Sequence, residues 1–101
     1  MDTEPTGSNT MAQTQTVGAA ERRVTDDAGR EWVAVAVETT VAHLKKGAVL
    51  AFRPADEPDA EPIRTPVEFN SAAAASFAIR TMSDKELRRR LTWAKTDAGI
   101  R

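Results

Sequence analysis

A chain of 101 residues with 15 acidic and 14 basic side chains, a formal net charge of −1 and a pI near 5.8 has room for one small domain. It lacks the excess of base with which a protein coats nucleic acid by bulk electrostatics. With no cysteine, disulfide scaffolds, zinc–thiolate centres and thiol catalysis are excluded.

Residues 1–20 are rich in Thr, Gln, Ser, Gly and Ala with a single valine, too little apolar surface to offset the entropy of ordering, so they read as a disordered N-terminal tail. The opening MDTEPTGSNT is acidic and polar, the reverse of a secretory leader. Met11 offers an alternative start. No apolar run approaches the roughly 20 residues that cross a bilayer, and a soluble cytoplasmic protein is the default.

Residues 21–101 read as one small domain. RRVTD and REWVAVAVETT flank DDAG, whose Gly29 can take a positive φ, so a hairpin is expected with Asp26 to Gly29 at its tip. In the second strand Trp32, Ala34 and Ala36 face one way and Val33, Val35 and Val37 the other. Both faces are apolar, which places the strand centrally and Trp32 in the core. Lys45, Lys46 and Gly47 are expected to form a bend before the next strand, where Leu50 and Phe52 alternate with Val49 and Ala51. PADEPDAEP is a loop by its prolines and acids. IRTPVEF is a last strand, at an edge because Pro66 has no amide hydrogen to donate.

NSAAAASFAIR is ambiguous: alanine and a cap at Asn70 or Ser71 favour helix, Phe77 and Ile79 a short strand, and a short helical or irregular connector is expected. In TMSDKELRRRL, Ser83 and Glu86 form a capping box with Met82 and Leu87 at the staple positions. A helix over about 84–96 ending near Gly99 follows. Its stripe of Leu87, Leu91, Ala94 and Ala98 must dock on the sheet.

Arg88 and Lys95 flank that stripe on one side and Arg90 on the other, with stems over the margin and charges in water. Asp84 with Arg88 and Glu86 with Arg90 are i,i+4 pairs in the favourable order. A solvated, salt-bridged face therefore accounts for the triple arginine without any ligand. Trp93 lies off the stripe, beside Arg89 and Arg90, where its ring can stack on a guanidinium, be covered by the connector 70–80, or remain exposed. Tryptophan and arginine are frequent interface anchors, so Trp93, Arg89, Arg90 and Arg88 are the candidate protein-interaction residues.

Charge is unevenly spread. Asp56, Glu57, Asp59, Glu61 and Glu68 stand against Arg64 between Pro54 and Phe69, whereas Arg80 to Arg101 carries seven bases against Asp84, Glu86 and Asp97. Such an arrangement can orient a partner or pair within the fold. Chemistry is sparse. His43, the lone histidine, has no nearby serine or paired carboxylate, and the acidic loop lacks the ligand spacing of a calcium loop. Without a phosphate cradle, nucleophile elbow or metal triad, no catalytic residue, cofactor or metal is assigned, and the protein is not expected to be an enzyme.

The order DDAGREWVAV, LAF and SDKELRRRL, over roughly residues 24–95, resembles a G-x-x-W … L-x-F … S-D-x-E-L pattern of small uncharacterised bacterial proteins. That resemblance implies a fold and no activity. The expected fold is α+β, mainly β: a small antiparallel sheet or partly open barrel of about four strands, with one C-terminal helix packed on it. The expected function is a non-catalytic interaction domain, an accessory or adaptor subunit docking on a larger protein or protein complex through the helix flank with Trp93, Arg89 and Arg90, or through an open strand edge able to accept another strand. The alternative is nucleic-acid or anionic-surface binding by the Arg-rich helix, and peripheral association with a membrane complex stays open.

Overall fold

The structure, a computed structural model, describes residues 16–18, 20–41 and 45–99. Four strands, β1 (Arg22–Thr25), β2 (Glu31–Val41), β3 (Lys45–Pro54) and β4 (Ile63–Phe69), form an open antiparallel sheet in the order β1-β2-β3-β4. Two helices follow, α1 (Ala72–Thr81) and α2 (Asp84–Ala98).

The central position of β2 follows from its two apolar faces, each of which must be covered. Trp32, Ala34 and Ala36, with Ala48, Leu50 and Phe52 of β3, share a core with Ala75 and Ile79 of α1 and Leu87, Leu91 and Ala94 of α2. Val33, Val35, Val37, Val49 and Ala51 form a second buried cluster on the opposite face. The hairpin closes as expected, with Asp26 N–H donating to the Arg30 carbonyl at 2.9 Å and Gly29 at φ 86°. In that left-handed region a side chain would be strained, which is why glycine stands there.

The expected bend at Lys45–Gly47 is corrected. These residues already belong to β3, paired with Val41, Thr40 and Thr39. Residues 42–44, His43 among them, lie outside the described residues.

Most of the expected tail, residues 1–15 and 19, also lies outside the described residues. Its last part reaches the sheet: Thr16 bridges to Val37, and Val17 N–H donates to the Ala36 carbonyl at 2.8 Å. Gly18, at φ 76°, passes so close to α1 that a Cβ would collide with Ser76 Oγ.

The stretch 72–81 is a regular helix. Ser71 Oγ accepts from Ala74 N–H at 3.1 Å, and Ala75 and Ile79, four apart, bury one face. The bare carbonyls at its C-terminal end are taken up by Arg22 of β1, whose guanidinium donates to Ile79 at 2.9 Å, Arg80 at 3.3 Å and Met82 at 2.8 Å. A cation there also suits the helix dipole.

α2 starts at Ser83, whose hydroxyl accepts from Glu86 N–H at 3.0 Å, and ends at Gly99 with φ 77°. Leu87, Leu91 and Ala94 dock as expected, while Ala98 is exposed.

β4 is an edge strand, and Pro66 distorts it. Three residues of β4, Thr65 to Val67, face the single Leu50 of β3, a bulge of the kind that proline's missing N–H produces at an edge. Thr65 Oγ1 replaces the lost donor, giving its proton to the Leu50 carbonyl at 2.8 Å and accepting from Val67 N–H at 3.1 Å.

Candidate protein-interaction site on the C-terminal helix

The bulge has a consequence one layer out. It sets Thr65, Pro66 and Val67 opposite Arg90, Trp93, Ala94, Thr96 and Asp97 of α2, leaving a groove of about 280 Å³ between strand and helix. Trp93 is 57 % exposed, one of two large apolar side chains in that state together with Phe77 of α1 among the described residues. The connector 70–80 does not cover it. Instead the Arg89 guanidinium lies 5.5 Å from the ring centroid, within range of a cation–π contact worth about 0.5 to 1 kcal/mol at an exposed site.

The arginines separate by environment. Arg90 Nε lies 2.7 Å from Glu86 Oε2, but the buried Nε–H is not directed at that oxygen and makes no hydrogen bond, so the contact is an ion pair alone. Arg89 approaches the same carboxylate at 3.7 Å. Half-exposed i,i+3 and i,i+4 pairs of this kind contribute about 0.2 to 0.5 kcal/mol each. Arg88 is exposed and borders a different hollow, with Arg23, Val24, Thr25 and Asp84. Of the four candidate residues, the structure brings Arg89, Arg90 and Trp93 to one place and sets Arg88 elsewhere. Its expected partner Asp84 is engaged by Arg22 at 2.6 Å, because β1 delivers a guanidinium that already binds the adjacent carbonyls.

Lys95 is the clear correction. Its ammonium does not reach water at the margin of the stripe but is buried, donating to Asp26 Oδ2 at 2.7 Å. Asp26 Oδ2 also accepts from Trp32 Nε1 at 2.9 Å, and its Oδ1 accepts from the amides of Ala28 and Arg30 at 2.9 Å each. Burial pushes this carboxyl's pKa up, but the hydrogen bonds from Lys95, Trp32, Arg30 and Ala28 outweigh it and hold the group well below the usual carboxylate range. One carboxylate thus ties the hairpin tip to the core tryptophan and to α2. A buried charge saturated in this way has no free proton and no open face, so its role is structural.

Among the described residues there is no group of three or more His, Asp or Glu side chains placed to hold a metal ion. Among the described residues no helix is long and apolar enough to cross a membrane. Two of the acidic residues after β3 meet the hairpin tip: Arg30 lies 3.4 Å from Asp56 and 3.7 Å from Glu57. No family model, no curated protein and no solved structure matches the chain.

Proposed function

We propose that the protein is a non-catalytic interaction domain, an accessory or adaptor subunit of the cytoplasm that docks on a larger protein assembly through the α2 flank. The observation that carries this reading is Trp93. A tryptophan left 57 % exposed beside an apolar groove, under an arginine, has the composition of an interface anchor and gives the isolated fold little in return. The nearby charges favour a protein partner over nucleic acid, since Arg89 and Arg90 share Glu86 and Lys95 is consumed by Asp26. That leaves few bases for the phosphate contacts on which nucleic-acid affinity depends.

Co-purification of the tagged protein from its own cells tests the proposal. A partner retained through high salt and nuclease, and lost with Trp93→Ala, is the expected result. Binding that collapses steeply with salt and follows Arg88 to Arg90 instead would replace it with anionic-surface or nucleic-acid binding.

A further inference from the structure

The sheet has one long edge that its four strands leave uncovered. β1 pairs with β2 only from Glu31 to Ala34. Beyond that point the outer side of β2 meets, among the described residues, Thr16 and Val17 alone. β4, at the far side of the sheet, is blunted by Pro66 and its bulge. The stretch of β2 from Val35 to Val41 has neither proline nor bulge, and an edge of that kind recruits another strand unless something covers it.

Thr16 and Val17 fix a register along this edge. Thr16 bridges Val37 in the antiparallel sense, and Val17 N–H donates to the Ala36 carbonyl at 2.8 Å, so Thr16 and Val37 form the close, non-hydrogen-bonded kind of pair. Carried upstream one residue at a time, that register sets Gln15 opposite Glu38, Thr14 opposite Thr39, Gln13 opposite Thr40 and Ala12 opposite Val41, where β2 ends. The sequence suits the placement. AQTQTV, residues 12–17, has no charge, glycine or proline, and it brings Thr14 to Thr39 as a favourable cross-strand pair. Asp2, Glu4, Pro5 and Gly7 all lie further upstream. After Val17 the chain swings outward: it advances five positions to Arg22 while β2 advances two, from Ala36 to Ala34. Gly18, at φ 76° against Ser76 of α1, lies in that detour.

We propose that residues 12–17 are an edge-guarding strap, an added strand that pairs with β2 from Ala36 to Val41 and withholds this edge from strand addition by another polypeptide. Thr16 and Gly18 are exposed and Val17 is half-buried, so the strap is held more lightly than the strands beside it. Once it is lifted, the edge accepts an extended antiparallel segment that places an apolar side chain where Val17 packs on the core. This surface is separate from the α2 flank and does not depend on it.

Amide hydrogen exchange in the intact chain tests the pairing, with a control built into β2. In the proposed register the amides of Glu38 and Thr40 point at the strap, and those of Val37 and Thr39 point at β3. Gln15→Pro combined with Val17→Pro removes two strap donors. It should speed exchange at Glu38 and Thr40 by about tenfold or more and leave Val37 and Thr39 unchanged. Adding the peptide of residues 11–18 to that variant should restore the protection, and a scrambled peptide should not. Because the chain lacks cysteine, Thr14→Cys with Thr39→Cys gives a second readout: this pair should oxidise within one chain. Gln15→Cys with Thr39→Cys, whose side chains point to opposite faces, should not. Unprotected Glu38 and Thr40 amides in wild type, or a disulfide that forms only between chains, would overturn the strap. A proline variant in which all four amides speed up together, or whose protection the peptide does not restore, would overturn the strand-accepting edge.

Discussion

The two tryptophans of this chain have the same neighbour and opposite fates. Each has an arginine over its ring, Arg30 at 5.1 Å from Trp32 and Arg89 at 5.5 Å from Trp93. Trp32 is 1 % exposed and its indole N–H is fixed to Asp26, while Trp93 is 57 % exposed and faces a groove. The difference lies in what the surrounding elements need. Trp32 fills the space between sheet and helices, and its polar atom is satisfied by a carboxylate that also anchors α2. Trp93 stands on the same helix as Lys95, two residues away, yet belongs to neither buried cluster of the described residues.

Breaking the buried side of that contrast should have the largest effect. Asp26→Ala strips Lys95, the Trp32 N–H and two amides of their common acceptor, and should destabilise the fold by about 3 to 5 kcal/mol in urea denaturation. The pH dependence follows from the same group. Because its folded-state pKa lies below the unfolded value of about 3.9, its contribution is fully present above that value and is lost as pH falls below it. The urea midpoint attributable to Asp26, taken as wild type minus Asp26→Ala, should stay flat through the neutral range and shrink only under strongly acidic conditions.

Next in size is Arg22→Ala, which leaves the end of α1 and Asp84 without their cation. A loss of about 1.5 to 3 kcal/mol is expected, with faster amide exchange in the last turn of α1. Gly18→Ala forces a Cβ into Ser76 Oγ at a positive φ and should cost about 1 to 3 kcal/mol. Combining it with Ser76→Ala should recover only the steric share, because the backbone strain remains. Smallest of all on stability is Trp93→Ala, a loss of about 0.5 to 1 kcal/mol, the worth of its contact with Arg89. If that substitution instead costs as much as a core change, Trp93 is a structural residue and the contrast between the two tryptophans fails.

The halves of this comparison were unequally legible in the sequence. Alternation in EWVAVAV placed Trp32 inside without help, since a strand apolar on both sides has nowhere to go but the middle of a sheet. Ser83, Glu86 and Gly99 marked the ends of α2 because caps are local chemistry. Lys95 read as a wet margin residue because its partner lies 69 positions away, and only the closed fold brings that partner near. Local spacing pairs Asp84 with Arg88 for the same reason, since the reach of Arg22 is invisible along the chain. The motif D-x-x-G-x-x-W did hold a signal: a hairpin-tip aspartate six residues before a buried tryptophan is placed to accept its indole N–H. NSAAAASFAIR was undecided because its propensities conflict, and the docking of Ala75 and Ile79 resolves them. The groove was hidden for a different reason. Pro66 announces an edge, but not that its bulge will open a space against a helix that starts about 18 residues later, at Asp84.

Acrylamide quenching of tryptophan fluorescence in the dilute, partner-free protein tests the central claim most directly. The account predicts two populations, one readily quenched and one shielded, with Trp93→Phe removing the accessible one and leaving the shielded emission of Trp32 unchanged. A single shielded population in the wild type, or an accessible component that survives Trp93→Phe, would contradict it.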